Sequence, residues 1–86
     1  MKELLNAIHG NFSIIITKKD GTFSDESANY RTGMETSEAL KGFSKKDEIA
    51  ERTDLAIECI TSEDESYSVK GEYKTRNYLL IALKEI

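Results

Sequence analysis

The chain contains no proline, no tryptophan, one histidine and one cysteine among its 86 residues. Without proline there is no cis-proline turn, no proline-rich ligand and no rigid linker. Cys59 has no second cysteine to pair with, so no disulfide braces the chain and a reducing, cytoplasmic setting is expected. His9 and Cys59 together are too few for a conventional zinc site. The five glycines are scattered at positions 10, 21, 33, 42 and 71, which excludes a phosphate-cradling glycine-rich loop. The longest apolar runs, Ile14 to Ile16 and Tyr78 to Leu83, fall far short of the roughly 20 residues that cross a bilayer. No apolar stretch follows Met1-Lys2-Glu3, so a secretory signal is not expected.

What is present is enough to fold. Val, Ile, Leu and Phe number 20, too many for the low-hydrophobicity composition of disordered chains. The length allows one core and hence one domain, with a net stability of about 3–5 kcal/mol. The formal net charge is −4, which argues against nucleic acid or an anionic membrane as partner. That charge is uneven. Residues 1–34 hold four bases and four acids, residues 35–65 four bases and ten acids, and residues 66–86 four bases and two acids. Residues 47–65 alone carry eight acids against the single base Arg52.

The pattern along the chain predicts an α+β domain of two layers. An antiparallel sheet of about four strands, residues 11–18, 22–30, 66–73 and 77–85, packs on two or three helices, residues 2–9, 36–41 and 45–61. Leu4, Leu5 and Ile8 have helical spacing, with Gly10 to close the helix. Phe12 to Thr17 is β-branched and aromatic, and Lys18-Lys19-Asp20-Gly21 offers a hairpin turn. Thr36 to Lys41 reads as a short helix stopped by Gly42, and Ser44 with Asp47 has capping-box spacing for the next one. At about 100° per residue, Ile49, Ala50, Thr53, Ala56, Ile57 and Ile60 share one face, and Asp47, Glu51, Asp54 and Glu58 share the other. A strand over Leu55 to Ile60 is the alternative, but it would leave Glu58 between Ala56 and Ile60 on one face. Lys74 to Asn77 is expected to turn between the last two strands.

No set of residues specifies an enzyme. A Cys59–His9 pair has no motif around either member, and His9 sits where a helix-end histidine is common. Asp20-Gly21-Thr22-Phe23 looks like part of a calcium loop, but Ile16 and Lys18 stand where its first acids belong. No cofactor and no metal are expected, and the chain is read as non-enzymatic.

Asp47-Glu48-Ile49-Ala50-Glu51-Arg52-Thr53-Asp54-Leu55, with Ile60 beyond, resembles the first helix and turn of a helix-turn-helix unit, with Asp54 in place of the usual turn glycine. The resemblance implies a DNA-binding regulator, with a wing charged by Lys70, Lys74 and Arg76. The recognition helix would be Ala56 to Ser66, which offers Glu58, Glu63, Asp64 and Glu65 and no base to meet phosphate.

The acidic helix face fits better with a basic partner. The stripe Asp47, Glu51, Asp54 and Glu58 continues into Glu63, Asp64 and Glu65, and these seven are the expected partner-binding residues. Unpaired like charges at such spacing cost a helix a few tenths of a kcal/mol each, and they steer basic surfaces. In size and charge the chain resembles, as a class, the small acidic phage-encoded inhibitors of nucleases and defence complexes. That resemblance implies a protein that occupies the nucleic-acid site of an enzyme. A third reading places Tyr30, Tyr67, Tyr73 and Tyr78 around a small-ligand pocket.

Overall fold

The computed structural model describes all 86 residues. It is a small α+β fold of two helices and a four-stranded sheet. The elements are α1 (Lys2–Asn6), β1 (Phe12–Thr17), β2 (Ala28–Tyr30), α2 (Thr36–Ala50), β3 (Leu55–Val69) and β4 (Glu72–Glu85). The sheet order is β2-β1-β4-β3. β1 runs parallel to β4, while the β1–β2 and β3–β4 pairs are antiparallel. The sheet is therefore mixed, not wholly antiparallel as expected, because α2 carries the chain across the sheet and β4 enters beside β1.

β1 alternates buried and half-buried residues along its length, as a strand covered on one face must. Phe12, Ile14 and Ile16 point toward the helices and meet Leu5, Ile49, Ile81 and Leu83, all almost fully buried. Each such side chain contributes about 1.5–3 kcal/mol by leaving water. Ile15 and Leu80 lie on the opposite face, which carries no helix, and are half-buried.

The first helix ends at Asn6, short of the expected His9, and Gly10 does not close it. Carbonyls at and just beyond its end are met from α2: the buried Lys46 Nζ donates to Leu5 O at 2.8 Å and Ile8 O at 2.9 Å. The strand expected at 22–30 shrinks to Ala28–Tyr30. The turn before it forms, with Gly21 at φ +87° and Asp20 Oδ1 accepting from Thr22 N and Oγ1. After an isolated bridge of Thr17 with Phe23, the polar run Asp25-Glu26-Ser27 has no alternation to sustain pairing.

Gly42 does not end a helix; it sits inside α2. A Cβ built there would lie 2.0 Å from Asn29 O, so only glycine lets the helix rest on the β2 backbone. The expected helices 36–41 and 45–61 are thus one helix that stops at Ala50. Residues 55–61 are strand, which removes the predicted carboxylate stripe. The objection to that strand is answered by a bulge: the register shifts between Ile57 and Cys59. Ile57 pairs with Leu83 and Ile60 with Ile81, so both lie on the helix side despite their odd spacing.

The last turn is also displaced. Lys70 (φ +51°) and Gly71 (φ +81°) form a two-residue hairpin loop with both residues left-handed, and Lys74 to Asn77 continue β4. β3 and β4 pair from Leu55–Glu85 out to Val69–Glu72, whereas β1 pairs with β4 only from Leu79 onward. The distal hairpin therefore projects as a two-stranded arm, and the molecule measures 43 × 23 × 21 Å. No helix is long and apolar enough to cross a membrane.

Candidate functional site: the hairpin arm and its acidic edge

Two-stranded ribbons are marginal alone, so the arm needs bracing. Residues paired across antiparallel strands share a face, and on the open face the pairs include Glu65–Arg76, Tyr67–Lys74 and Glu63–Tyr78. Arg31, just beyond β2, reaches over this face. Its guanidinium donates to Phe12 O at 2.6 Å, Ser13 Oγ at 2.9 Å and Glu65 Oε1 at 2.6 Å, and stacks 3.8 Å from the centre of the Tyr78 ring. Arg76 Nε donates to the same Glu65 oxygen at 2.7 Å, its Nη1 reaches Thr32 O at 2.8 Å, and its guanidinium lies 4.3 Å from the Tyr67 ring centre. Asn11 ties down the same region by donating from Nδ2 to Asn77 O. Glu65 is held between two cations: the hydrogen bond from Arg76, reinforced by that from Arg31, holds its carboxyl below the usual range against the opposing effect of burial.

The seven acids expected to form one stripe are dispersed. Asp47 is exposed on α2. Glu51, at the end of that helix, pairs with Lys2 at 2.8 Å. Asp54, in the connection to β3, accepts both branches of Arg52 at 2.9 and 2.6 Å, which lowers its carboxyl. Arg52 also reaches Glu26 and, at 3.5 Å, Glu85, fastening three segments around the start of β3. Glu58 lies at the bulge, and Glu63, Asp64 and Glu65 lie on the projecting half of β3. Glu65 is neutralised by its two arginines. Glu63 and Asp64 meet only neutral donors, Thr61 Oγ1 at 3.0 Å and Asn77 Nδ2 at 3.2 Å. Of the seven, Asp47, Glu58, Glu63 and Asp64 have no basic partner.

Three of those four acids stand on β3, which has no base along its length and no strand beyond it. Its outer edge is a row of free backbone donors and acceptors running alongside negative charge. Ile57 and Ile60 add apolar surface there, at 37% and 39% exposure. This edge is the feature that the sequence reading did not locate. Arg31 was missed, and Arg76, expected as a base on a wing, instead pairs with Glu65, although alternating Glu63, Glu65 and Tyr67 opposite Lys74, Arg76 and Tyr78 is a legible cross-strand pattern once Lys70-Gly71 is taken as the turn.

The other sequence readings can be placed as well. The helix-turn-helix resemblance stops where α2 stops: Ala56 to Ser66 is edge strand, so it supplies no recognition helix. The tyrosines do not converge. Tyr30 packs on Phe43, Tyr67 and Tyr78 lie under Arg76 and Arg31, and Tyr73 is 84% exposed on the arm. The larger groove, about 650 Å³ between β2 and α2, is lined by Ser27, Asn29, Met34, Leu40, Lys45 and their neighbours, with no tyrosine. His9 follows α1, Cys59 is exposed on β3, and no group of three or more His, Cys, Asp or Glu side chains is placed to hold a metal ion. Comparisons with protein-family models, with curated proteins and with solved structures give no match to this chain.

Proposed function

We propose that this chain is a non-enzymatic binding protein whose acidic hairpin arm engages a basic surface on a protein partner and regulates or inhibits it. The observation that carries the reading is the edge strand β3, with Glu58 at its bulge and Glu63 and Asp64 on its projecting half, none of them paired with a base. Negative charge held on an extended arm suits a cleft built for nucleic acid, so the partner class is a nucleic-acid enzyme, met in a reducing compartment such as the cytoplasm. The long-range field speeds encounter, and the polar contacts at short range select the partner. Direct nucleic-acid binding is the weaker reading: Tyr67 and Tyr78 are covered by guanidinium groups, which leaves Tyr73 as the one open ring on the arm, and Glu65 offsets both arginines.

The test is a matched pair of charge reversals in the full chain. One variant changes Glu58, Glu63 and Asp64, all on β3, to Lys; the other changes Glu3, Asp25 and Glu35, which stand outside β3, to Lys. Tagged proteins are used to recover partners from host lysate across a salt series. The arm variant is expected to lose a salt-sensitive partner by at least tenfold while the control variant keeps it. Equal retention by both variants, or equal loss, would remove the arm as the binding surface.

A further inference from the structure

An edge strand can be met by side chains alone, or it can accept another strand. Several features of β3 favour the second. Its outer side has no strand along residues 55–69, so its outward-facing amides and carbonyls lack sheet partners. Beyond the bulge at Glu58 the register with β4 is uninterrupted from Cys59 to Val69, which leaves a regular template. Its charge then decides what can pair with it. A second copy of β3 would bring no base in any register, so acids would oppose acids or neutral groups, and like charges across a strand pair repel. The charge that resists self-pairing selects a cationic strand.

Resting on the reading of the arm as a binding surface, we infer that β3 accepts an extended basic segment of its partner as a fifth strand, and that the geometry fixes a short recognition pattern. Glu63 lies across from Tyr78 on the open face, and Asp64 lies across from Asn77 on the helix side. Consecutive residues of an added strand also alternate between faces. One Lys or Arg opposite Glu63 and the next opposite Asp64 would answer both charges, so the segment carries two adjacent bases. Ile60 is on the helix side and 39% exposed, so the residue opposite it, three positions from the base facing Glu63 and on the side away from the second base, is apolar. Main-chain hydrogen bonds supply affinity and the alternating side chains supply selection.

The experiment titrates the isotopically labelled full chain with synthetic peptides of about ten residues. One carries two adjacent lysines and an apolar residue at the stated spacing. A second has the same side chains with alternate backbone amides N-methylated on the edge facing β3, and a third replaces both lysines by glutamate. Backbone amide shifts of the protein are followed by NMR. The basic peptide is expected to shift β3 amides preferentially and to bind at least tenfold more tightly than the methylated or the acidic one. The E63K/D64K variant, whose fold the same spectra report, is expected to prefer the acidic peptide. If the methylated peptide binds as well as its parent, strand addition is wrong while the acidic-surface reading survives. If E63K/D64K binds the basic peptide unchanged, both fail. No binding of the basic peptide, or a stable dimer of the chain in sedimentation whose β3 amides are already protected, overturns the inference.

Discussion

Lys46 has an unusual position for a lysine: it is 4% exposed and has no carboxylate partner, yet its ammonium is satisfied by the carbonyls at the end of α1. Phe12 and Phe43 lie 5.7 and 5.5 Å from the same nitrogen. A cation at the negative end of a helix and over aromatic rings is favourably placed, and it staples α1 to α2. Lys46→Met keeps the stem but takes the ammonium donor from the Ile8 carbonyl and leaves the Leu5 carbonyl with only the Ile8 amide, at a cost of about 1–3 kcal/mol. Urea unfolding monitored by circular dichroism is expected to show that loss. A midpoint at or above that of the parent would show that removing a buried charge outweighs the stranded carbonyls. Glu65 gives a prediction in pH. Its folded carboxyl is lowered relative to the unfolded chain, so its stabilising contribution is complete above the ordinary glutamate value of about 4.3 and is lost as pH falls through the lowered native value. Glu65→Gln removes that dependence. The stability difference between parent and variant, read from denaturation midpoints, is expected to be present at neutral pH and to vanish in strong acid. A difference that persists there would mean that Glu65 acts through packing or neutral hydrogen bonds.

At the scale of elements, the sequence is clearest where a local pattern and the tertiary environment agree. β1 is legible because its β-branched run is followed by a turn sequence, and the turn around Gly21 forms as its residues require. The start of β4 was obscured by reading Lys74 to Asn77 as the turn, although Gly71 was the residue in that region able to take a positive φ without strain. Gly42 misled in the opposite direction. Its role is the close approach of α2 to Asn29, a long-range requirement that no local window displays. The largest error, a helix through residue 61, has a comparable cause: helical and bulged-strand spacing both bring Ile57 and Ile60 to one side. The bulge at Glu58 exists only in relation to β4, so spacing within the segment could not distinguish the two. The same error governs the candidate site. Charge counting along the chain correctly gathered acids in the middle third, but their presentation depended on secondary structure, which moved them from a helix face to a strand edge.

The whole molecule is divided between a packed half and a thin one. Its radius of gyration, 13.7 Å, exceeds the about 12 Å of a compact domain this long, and the excess comes from the hairpin arm. Fully buried Ile81 and Leu83 belong to the half covered by helices, whereas Ser66, Tyr73 and Thr75 stand on a two-stranded ribbon beyond the reach of β1. What fixes the ribbon is the chain of contacts from Arg31 through Glu65 to Arg76, with tyrosines beneath the two guanidiniums. Arg31 is 13% exposed, bonds to the β1 backbone and reaches β3, so it is the anchor that transmits the rigidity of the core to the arm. Local openings occur where few buried contacts oppose them. Amide exchange is therefore expected to be slowest around Ile81 and Leu83 and faster from Ser66 to Thr75. Arg31→Ala should accelerate hydrogen-bonded amides of the arm by at least tenfold while those around Ile81 change much less. That variant removes about one charge-assisted network at the base of a ribbon that has little else to hold it. Uniform acceleration throughout the chain would instead show that core and arm open as one cooperative unit, and an arm already protected like the core in the variant would show that β3–β4 pairing alone holds it in place.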